Sequence, residues 1–424
     1  MKNKKRTAST SSNALARRSF LGMAIAAGAT SLLPGCGSSN RVDAPSPPAP
    51  VGPPPVAPTA TPGREMARFP EKTDLYLLTD RPPQLETPLK YFQQDLTPND
   101  AFFVRWHLAQ VPTSVDLKTF RLAIGGHVAE PLSLSFHNLR TDYEQVSVVA
   151  VNQCSGNSRS MYEPRVPGGQ WGHGAIGNAR WTGVRLKDLL ERASVKPGAV
   201  DVGFQGLDRP PVATVPLFAK SLEIEHALDG EVIVAYAMND APLPMLNGFP
   251  IRLIVPGWYA TYWIKALNEI TVLPQKFSGF WMDKAYRIPK TPDAQETPDK
   301  LATDTIPINR MSVRSLFVRP EPSDKITRGQ PCEIEGLALD GGKGIKQVEV
   351  STDGGKTWTE AKLDRDLGKY SWRRWRYAWK PEAAGAYKIL SRATNNAGEG
   401  QTTSQWNRSG YSRNVIESLE LNVI

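Results

Sequence analysis

Residues 148–160 read Val-Val-Ala-Val-Asn-Gln-Cys-Ser-Gly-Asn-Ser-Arg-Ser. The apolar run containing Val148, Val149 and Val151 predicts a buried strand that ends at Asn152 and Gln153. Cys154 follows, and Gly156 and Asn157 turn the chain. Arg159 stands five residues beyond the cysteine. A thiol is therefore expected at the tip of a strand, on a loop with free backbone amides and a guanidinium nearby. A neighbouring cation favours the thiolate, which is both a nucleophile and a soft-metal ligand. The window alone leaves a second reading open, a buried free cysteine, the commoner fate of a lone Cys.

Composition narrows the field. A chain of 424 residues, 40% hydrophobic and 22% charged, is globular and long enough for two or three domains. Its formal charge of +9 includes Lys2, Lys4, Lys5, Arg6, Arg17 and Arg18, with no acid in residues 1–40, so the remainder carries only +3. That balance gives no nucleic-acid footprint. The cysteines, Cys36, Cys154 and Cys332, make no disulfide framework. No Cys-x-x-Cys-His occurs, so no c-type haem is attached, and no Cys cluster suits an iron–sulfur centre. Any redox metal must be held by few protein ligands. The eleven tryptophans favour deep clefts and interfaces.

Outward toward the N-terminus, residues 1–40 read as an export signal with a basic start and a short apolar stretch from Leu21 to Leu33. Arg17-Arg18-Ser19-Phe20-Leu21 is similar to the twin-arginine motif, which implies export of a folded, cofactor-loaded protein to the periplasm. Leu33-Pro34-Gly35-Cys36 also looks like a lipoprotein cleavage box. A lipidated Cys36 would tether the protein to a membrane; otherwise cleavage falls nearby. Residues 41–65, with nine prolines between Pro45 and Pro62, read as an extended linker. Residues 66–295 are expected to form the first folded domain. There Ala101 to His107 reads as a strand with Arg105 and His107 on one side. Leu134 to Tyr143 reads as a short helix, and Pro164 to Asn178 as a long Gly-rich loop beside Cys154. That loop is neither a Walker A loop nor a Rossmann turn. Lys290 to Thr305 reads as an interdomain linker. Residues 306–424 suggest a β-sandwich: Ile345 to Ser351 pairs across Asp353-Gly354 with Lys356 to Thr359, and further strands fall at Trp375 to Trp379 and Tyr387 to Ala393. The run Trp372-Arg373-Arg374-Trp375-Arg376 fits either anion binding or stacking at an interface.

Five stretches in order resemble the sulfite oxidase family of molybdenum enzymes. They are Phe-Phe-Val-Arg-x-His at 102–107, Gln-Cys-Ser-Gly-Asn-Ser-Arg at 153–159 and Trp-Thr-Gly-Val at 181–184. The others are Leu-Asn-Gly-Phe-Pro-Ile-Arg-Leu-Ile-Val-Pro-Gly at 246–257 and Val-Ser-Thr-Asp-Gly-Gly-Lys-Thr-Trp at 350–358. The long loop and Gly-Trp-Tyr-Ala-Thr-Tyr-Trp-Ile-Lys at 257–265 look most like bacterial periplasmic sulfite dehydrogenases, with the sulfane dehydrogenase component of thiosulfate oxidation a close relative. The resemblance implies an α+β chain: a mixed α/β molybdopterin domain followed by an immunoglobulin-like β-sandwich that mediates dimerisation. It implies one molybdopterin, with Cys154 as the protein ligand to molybdenum. It places Arg105, Arg159 and Arg373 as substrate-pocket arginines, Tyr286 as the active-site tyrosine, and His107 and Lys265 as pterin contacts. Ala285 stands where vertebrate-like members have Asp, and Pro-Gly-Gly-Gln-Trp stands where they have a lysine after the cysteine loop. The implied activity is oxidation of sulfite to sulfate with a c-type cytochrome as acceptor. Sulfane oxidation and sulfoxide reduction are the alternatives within the fold. A non-catalytic binding protein is the reading from another class, disfavoured by Cys154 together with the arginines.

Overall fold

A computed structural model describes residues 64–424. The twin-arginine-like stretch, Cys36 and nearly all of the proline-rich segment lie outside the described residues. The valine-rich run forms the strand Val146–Gln153, paired antiparallel with Ile176–Arg185. Ile176–Arg185 pairs in turn with Ile233–Met238, which also pairs with Arg252–Ile254 and Ala241–Pro242. The β-branched residues of these strands suit a half-buried pleat, and Val151, Val184 and Val234 are fully buried.

A second five-stranded sheet runs Ala219–Glu223, Asp201–Gly206, Leu267–Leu273, Arg121–Gly126, Leu132–Ser135, parallel only where Leu267–Leu273 meets Arg121–Gly126. The expected helix at 134–143 is shorter, Phe136–Thr141, because Leu132–Ser135 is a strand and Ser135 caps the helix, accepting from Asn138 N. The longest α-helix among the described residues is Leu186–Arg192. A four-stranded sheet of Met66–Arg68, Asp74–Thr79, Gln84–Glu86 and Val104–Arg105 brings the 102–107 stretch alongside.

Beyond residue 313 two four-stranded sheets face each other. One is Arg314–Arg319, Cys332–Leu339, Arg373–Trp379, Lys362–Leu363; the other is Thr359–Glu360, Ile345–Ser351, Gly385–Asn395, Glu417–Val423. Val348, Trp375, Ile389 and Leu419 fill the space between them, as alternating strands of a sandwich require. The two parts are joined closely. Tyr370 O accepts from Val151 N at 2.9 Å, so the sandwich covers the free edge of the strand that carries Cys154. Residues 290–305 are not a free tether: Arg287–Pro289 pairs with Thr305–Pro307, and Glu296 N donates to Trp406 O.

Candidate active site

Cys154 leaves the strand end with its N–H donating to Ala175 O at 2.9 Å. The turn beyond it is fixed by side chains. Asn157 Oδ1 accepts from Ala175 N at 3.0 Å, and Ser158, in a left-handed conformation, is bonded to His173 Nδ1 at 2.6 Å. Arg314 Nη2 donates to Ser158 Oγ at 2.6 Å and to Glu417 Oε1 at 2.7 Å, so a buried ion pair from the sandwich locks the cysteine loop. Burial draws the His173 imidazole down to about 4.

Cys154 stands where two cavities meet. The inner one is narrow and is lined by Arg105, His107, Asn152, Ser155, Asn247, Arg252, Thr261 and Lys265 among others. The outer one, about 540 Å³ and partly open to solvent, includes Arg159, Trp171, Lys284, Arg287, Arg408 and Tyr411. Arg105, Cys154 and Tyr286 line both.

The inner cavity collects buried cations that form no ion-pair contact, the buried Asp208 acting on Lys265 only through space. Arg252 is 3% exposed; it donates to Asn247 O at 2.9 Å and to Trp263 O at 3.4 Å, and lies over the Trp181 and Trp263 rings. Burial lowers its guanidinium to about 9. Lys265 lies 4.7 Å over Trp106, and burial, then Arg252, brings it to about 7. Behind the wall, Lys72 donates to Asn99 O, Phe102 O and the Asn247 side chain, fixing Asn247. His107 stacks on Phe218 at 3.5 Å and bonds to the Tyr286 hydroxyl. Burial, then Arg105, Lys265 and Lys220, keeps its imidazole neutral.

Four atoms of this lining are buried without a hydrogen-bond partner: Asn152 Nδ2, Ser155 Oγ, Arg252 Nε and Thr261 Oγ1. A buried unpaired polar atom costs about 1–3 kcal/mol. Unpaired donors and uncompensated cations around a cavity fit a group rich in acceptors and negative charge, as the phosphate and ring edge of a pterin are. Among the described residues no cluster of three or more His, Cys, Asp or Glu occurs, so a metal here would take Cys154 as its protein ligand.

In the outer cavity Arg159 donates to Gly169 O at 3.3 Å and Ser409 O at 3.1 Å, and lies 4.9 Å over Tyr411. Two glycines in left-handed conformations make room for it. A Cβ on Gly410 would lie 2.8 Å from Arg159 Cγ, and one on Gly168 would overlap Nη1. Tyr411 stacks parallel on Tyr286, ring centroids 5.3 Å apart.

The structure thus gathers Arg105, His107, Cys154, Arg159, Lys265 and Tyr286. Arg373 is a correction. It lines neither cavity; its Nε donates to Asp364 O at 2.7 Å and its Nη1 pairs with Asp366 at 3.0 Å, because the acidic segment beside the start of its strand takes the charge. Its neighbour Arg374 points the other way, to Glu335 and Phe92 O. Sequence reasoning assigned no role to Arg252, Thr261, Asn152, Ser155 or Tyr411. For Arg252 a signal existed, a lone charge inside the apolar run 251–255. Tyr411 comes from a loop of the sandwich and carried none.

Residues 108–281 match the oxidoreductase molybdopterin binding domain, and residues 305–421 the Mo-co oxidoreductase dimerisation domain. The chain is 34% identical over 335 residues to mitochondrial sulfite oxidase of Homo sapiens, covering 76% of this chain and 60% of that protein. It is 32% identical over 357 residues to sulfite oxidase of Gallus gallus, covering 80% and 76%. The crystal structure of the sulfane dehydrogenase SoxCD from Paracoccus pantotrophus shares the fold with a TM-score of 0.70 at 25% identity, covering 85% of this chain and 90% of that one. This chain belongs to the sulfite oxidase family of molybdopterin oxidoreductases. It has a mixed α/β molybdopterin-binding domain followed by a β-sandwich domain. The chain spans about 60% of the length of its human relative.

Proposed function

We propose that this chain is the catalytic subunit of a periplasmic dehydrogenase that oxidises a sulfane-type sulfur anion, with Cys154 holding molybdenum and the inner cavity holding the pterin. Bound there, the cofactor would supply the two-electron redox chemistry. The chain's own residues do the rest. Asn152, Ser155, Arg252, Thr261 and Lys265 orient the pterin; Arg105 and Arg159 draw an anion to Cys154 through planar, multi-donor guanidiniums. Tyr286, held by His107, presents its hydroxyl at the junction. The observation that carries this reading is the outer cavity: about 540 Å³, four arginines and a lysine, and no carboxylate on its lining. A small oxyanion such as sulfite fills little of it, whereas a sulfur atom on a larger group uses it. The SoxCD likeness, covering 90% of that chain, supports the same reading. Oxidation of free sulfite is the second reading, favoured by the relatives of 31–34% identity named sulfite oxidase.

Electrons leave to an external acceptor, a c-type cytochrome as subunit or diffusible partner, and the sandwich pairs two copies. Export follows the twin-arginine route, with Cys36 as a candidate lipid anchor. The test is steady-state turnover of the molybdenum-loaded protein with a ferric cytochrome, comparing sulfite with sulfane-bearing substrates. A larger kcat/KM for sulfite decides for the second reading. A matured preparation without molybdenum sinks both.

A further inference from the structure

The outer cavity holds more positive charge than one reacting sulfur anion needs. Arg408 is neutralised, forked onto Glu296 with contacts of 2.6–3.1 Å. The other four cations of the lining, Arg105, Arg159, Lys284 and Arg287, form no ion pair among the described residues. Carbonyls and a hydroxyl fix three of them without neutralising them. Trp106 O takes Arg105; Gly169 O and Ser409 O take Arg159; Met282 O, Thr305 O and Thr305 Oγ1 take Arg287. Lys284 is exposed; its N–H donates to Phe280 O, and its ammonium has no partner among the described residues. Like charges gathered on a concave wall repel, and an anion is what offsets them.

The four divide by place. Arg105 and Arg159 flank Cys154. Lys284 and Arg287 line only the outer cavity, with Pro289 and Thr305. The backbone makes that division: Tyr286 has a φ of 55°, a conformation costly for a bulky residue. It sends the Tyr286 ring to the junction while leaving Lys284 and Arg287 on the rim. The stacked rings of Tyr286 and Tyr411 belong to the same outer lining.

We propose that Lys284 and Arg287 form a second anion subsite, which binds a carboxylate on the tail of the substrate while Arg105 and Arg159 hold its reacting sulfur group. This rests on the reading of Cys154 as the reacting centre, and it names the substrate class: a sulfane sulfur carried on an anionic organic chain.

Two probes separate the subsites, 3-(sulfosulfanyl)propanoate and its primary amide, which differ only in the charge of the tail. Their affinities for the loaded protein are measured by competition against turnover and by tryptophan fluorescence. The carboxylate probe is expected to bind about fivefold to tenfold more tightly at low ionic strength. That ratio should fall toward one as salt is raised and in Lys284→Ala, and should persist in Lys284→Arg. A ratio near one in the unaltered protein, or a ratio that survives Lys284→Ala, overturns the subsite while leaving the Cys154 reading intact. Failure of both probes and of sulfite to bind the loaded protein overturns the Cys154 reading and the subsite with it.

Discussion

Replacing Arg252 by Met should have opposite effects on the empty and the loaded protein. Burial at 3% exposure, with no carboxylate partner, lowers the guanidinium to about 9, more than three pH units below its ordinary value. At about 1.4 kcal/mol per unit this sets roughly 4–5 kcal/mol against the charged form. Methionine has a similar reach and fills the space between Trp181 and Trp263. The substitution leaves the carbonyls of Asn247 and Trp263 without a donor, about 1–3 kcal/mol for the closer bond and less for the 3.4 Å one, and loses about 1 kcal/mol of cation–ring attraction. The balance for the empty protein is a gain of about 1–2 kcal/mol, a rise in Tm of about 2–6 °C for a domain of this size. In the loaded protein a charged contact to an anion disappears, worth on the order of 2–5 kcal/mol. Calorimetry on both forms, with pterin and molybdenum analysis, reads the two signs. A variant that loses stability equally in both forms and keeps a full complement of cofactor would show that Arg252 is structural, and the inner cavity would lose its proposed occupant.

Cys154→Ser should keep the fold, the side chains being of similar size, but lose nearly all turnover and most of the molybdenum, since a hard hydroxyl of far higher pKa does not replace a thiolate; metal analysis with circular dichroism checks this. Arg373→Gln should leave KM within about twofold and cost less than about 1 kcal/mol, because the ion pair with the 54% exposed Asp366 is solvated; a severalfold rise in KM would return Arg373 to the pocket. Acid should loosen the fold through His173. Unfolded, it binds its proton near 6.5, folded only near 4, so its contribution is complete above the higher value and is lost as pH falls between the two, by about 3 kcal/mol. Glu417 acts in the same direction lower down: burial opposes its charge, but Arg413, Arg314 and His173 hold it well below the ordinary carboxylate range. His173→Gln should flatten denaturation midpoints between pH 6.5 and 4, and an unchanged slope would refute the assignment.

What was legible in the sequence was local. The valine run and the Gly-Asn turn form where their periodicity and turn chemistry put them, and the Asp353-Gly354 hairpin forms with its second strand displaced from 356–359 to Thr359–Glu360. Arg105 and His107 share one wall, although the expected strand 101–107 shrinks to Val104–Arg105 and His107 lies in the bend beyond it. What was not legible depended on contacts between distant segments. Arg373 and Arg374 are adjacent in an arginine-rich run, and nothing in the run says that Asp366 takes one and Glu335 the other. The polar 290–305 stretch, expected to be a linker, lacks a pattern of its own because its order comes from Arg408 and Trp406, more than a hundred residues away. Lys72 reads as an ordinary surface lysine until Asn99, Phe102 and Asn247 close around it.

The segment 405–412 shows why the sandwich belongs to the chemistry as well as to the architecture. Gln405 Nε2 donates to Asp293 O, Trp406 Nε1 to Pro164 O and Ser409 Oγ to Arg287 O, so one short loop is tied to three separate segments of the chain, of which Arg287 lines the outer cavity. Those ties fix Ser409 O and the Tyr411 ring, which in turn aim Arg159. From the other side, Arg314 and Glu417 reach through to Ser158. The cysteine loop is therefore clamped at both ends by residues of the second domain. Neither domain alone contains the information that places Arg159 beside Cys154, and the precision of the anion pocket is a property of their packing.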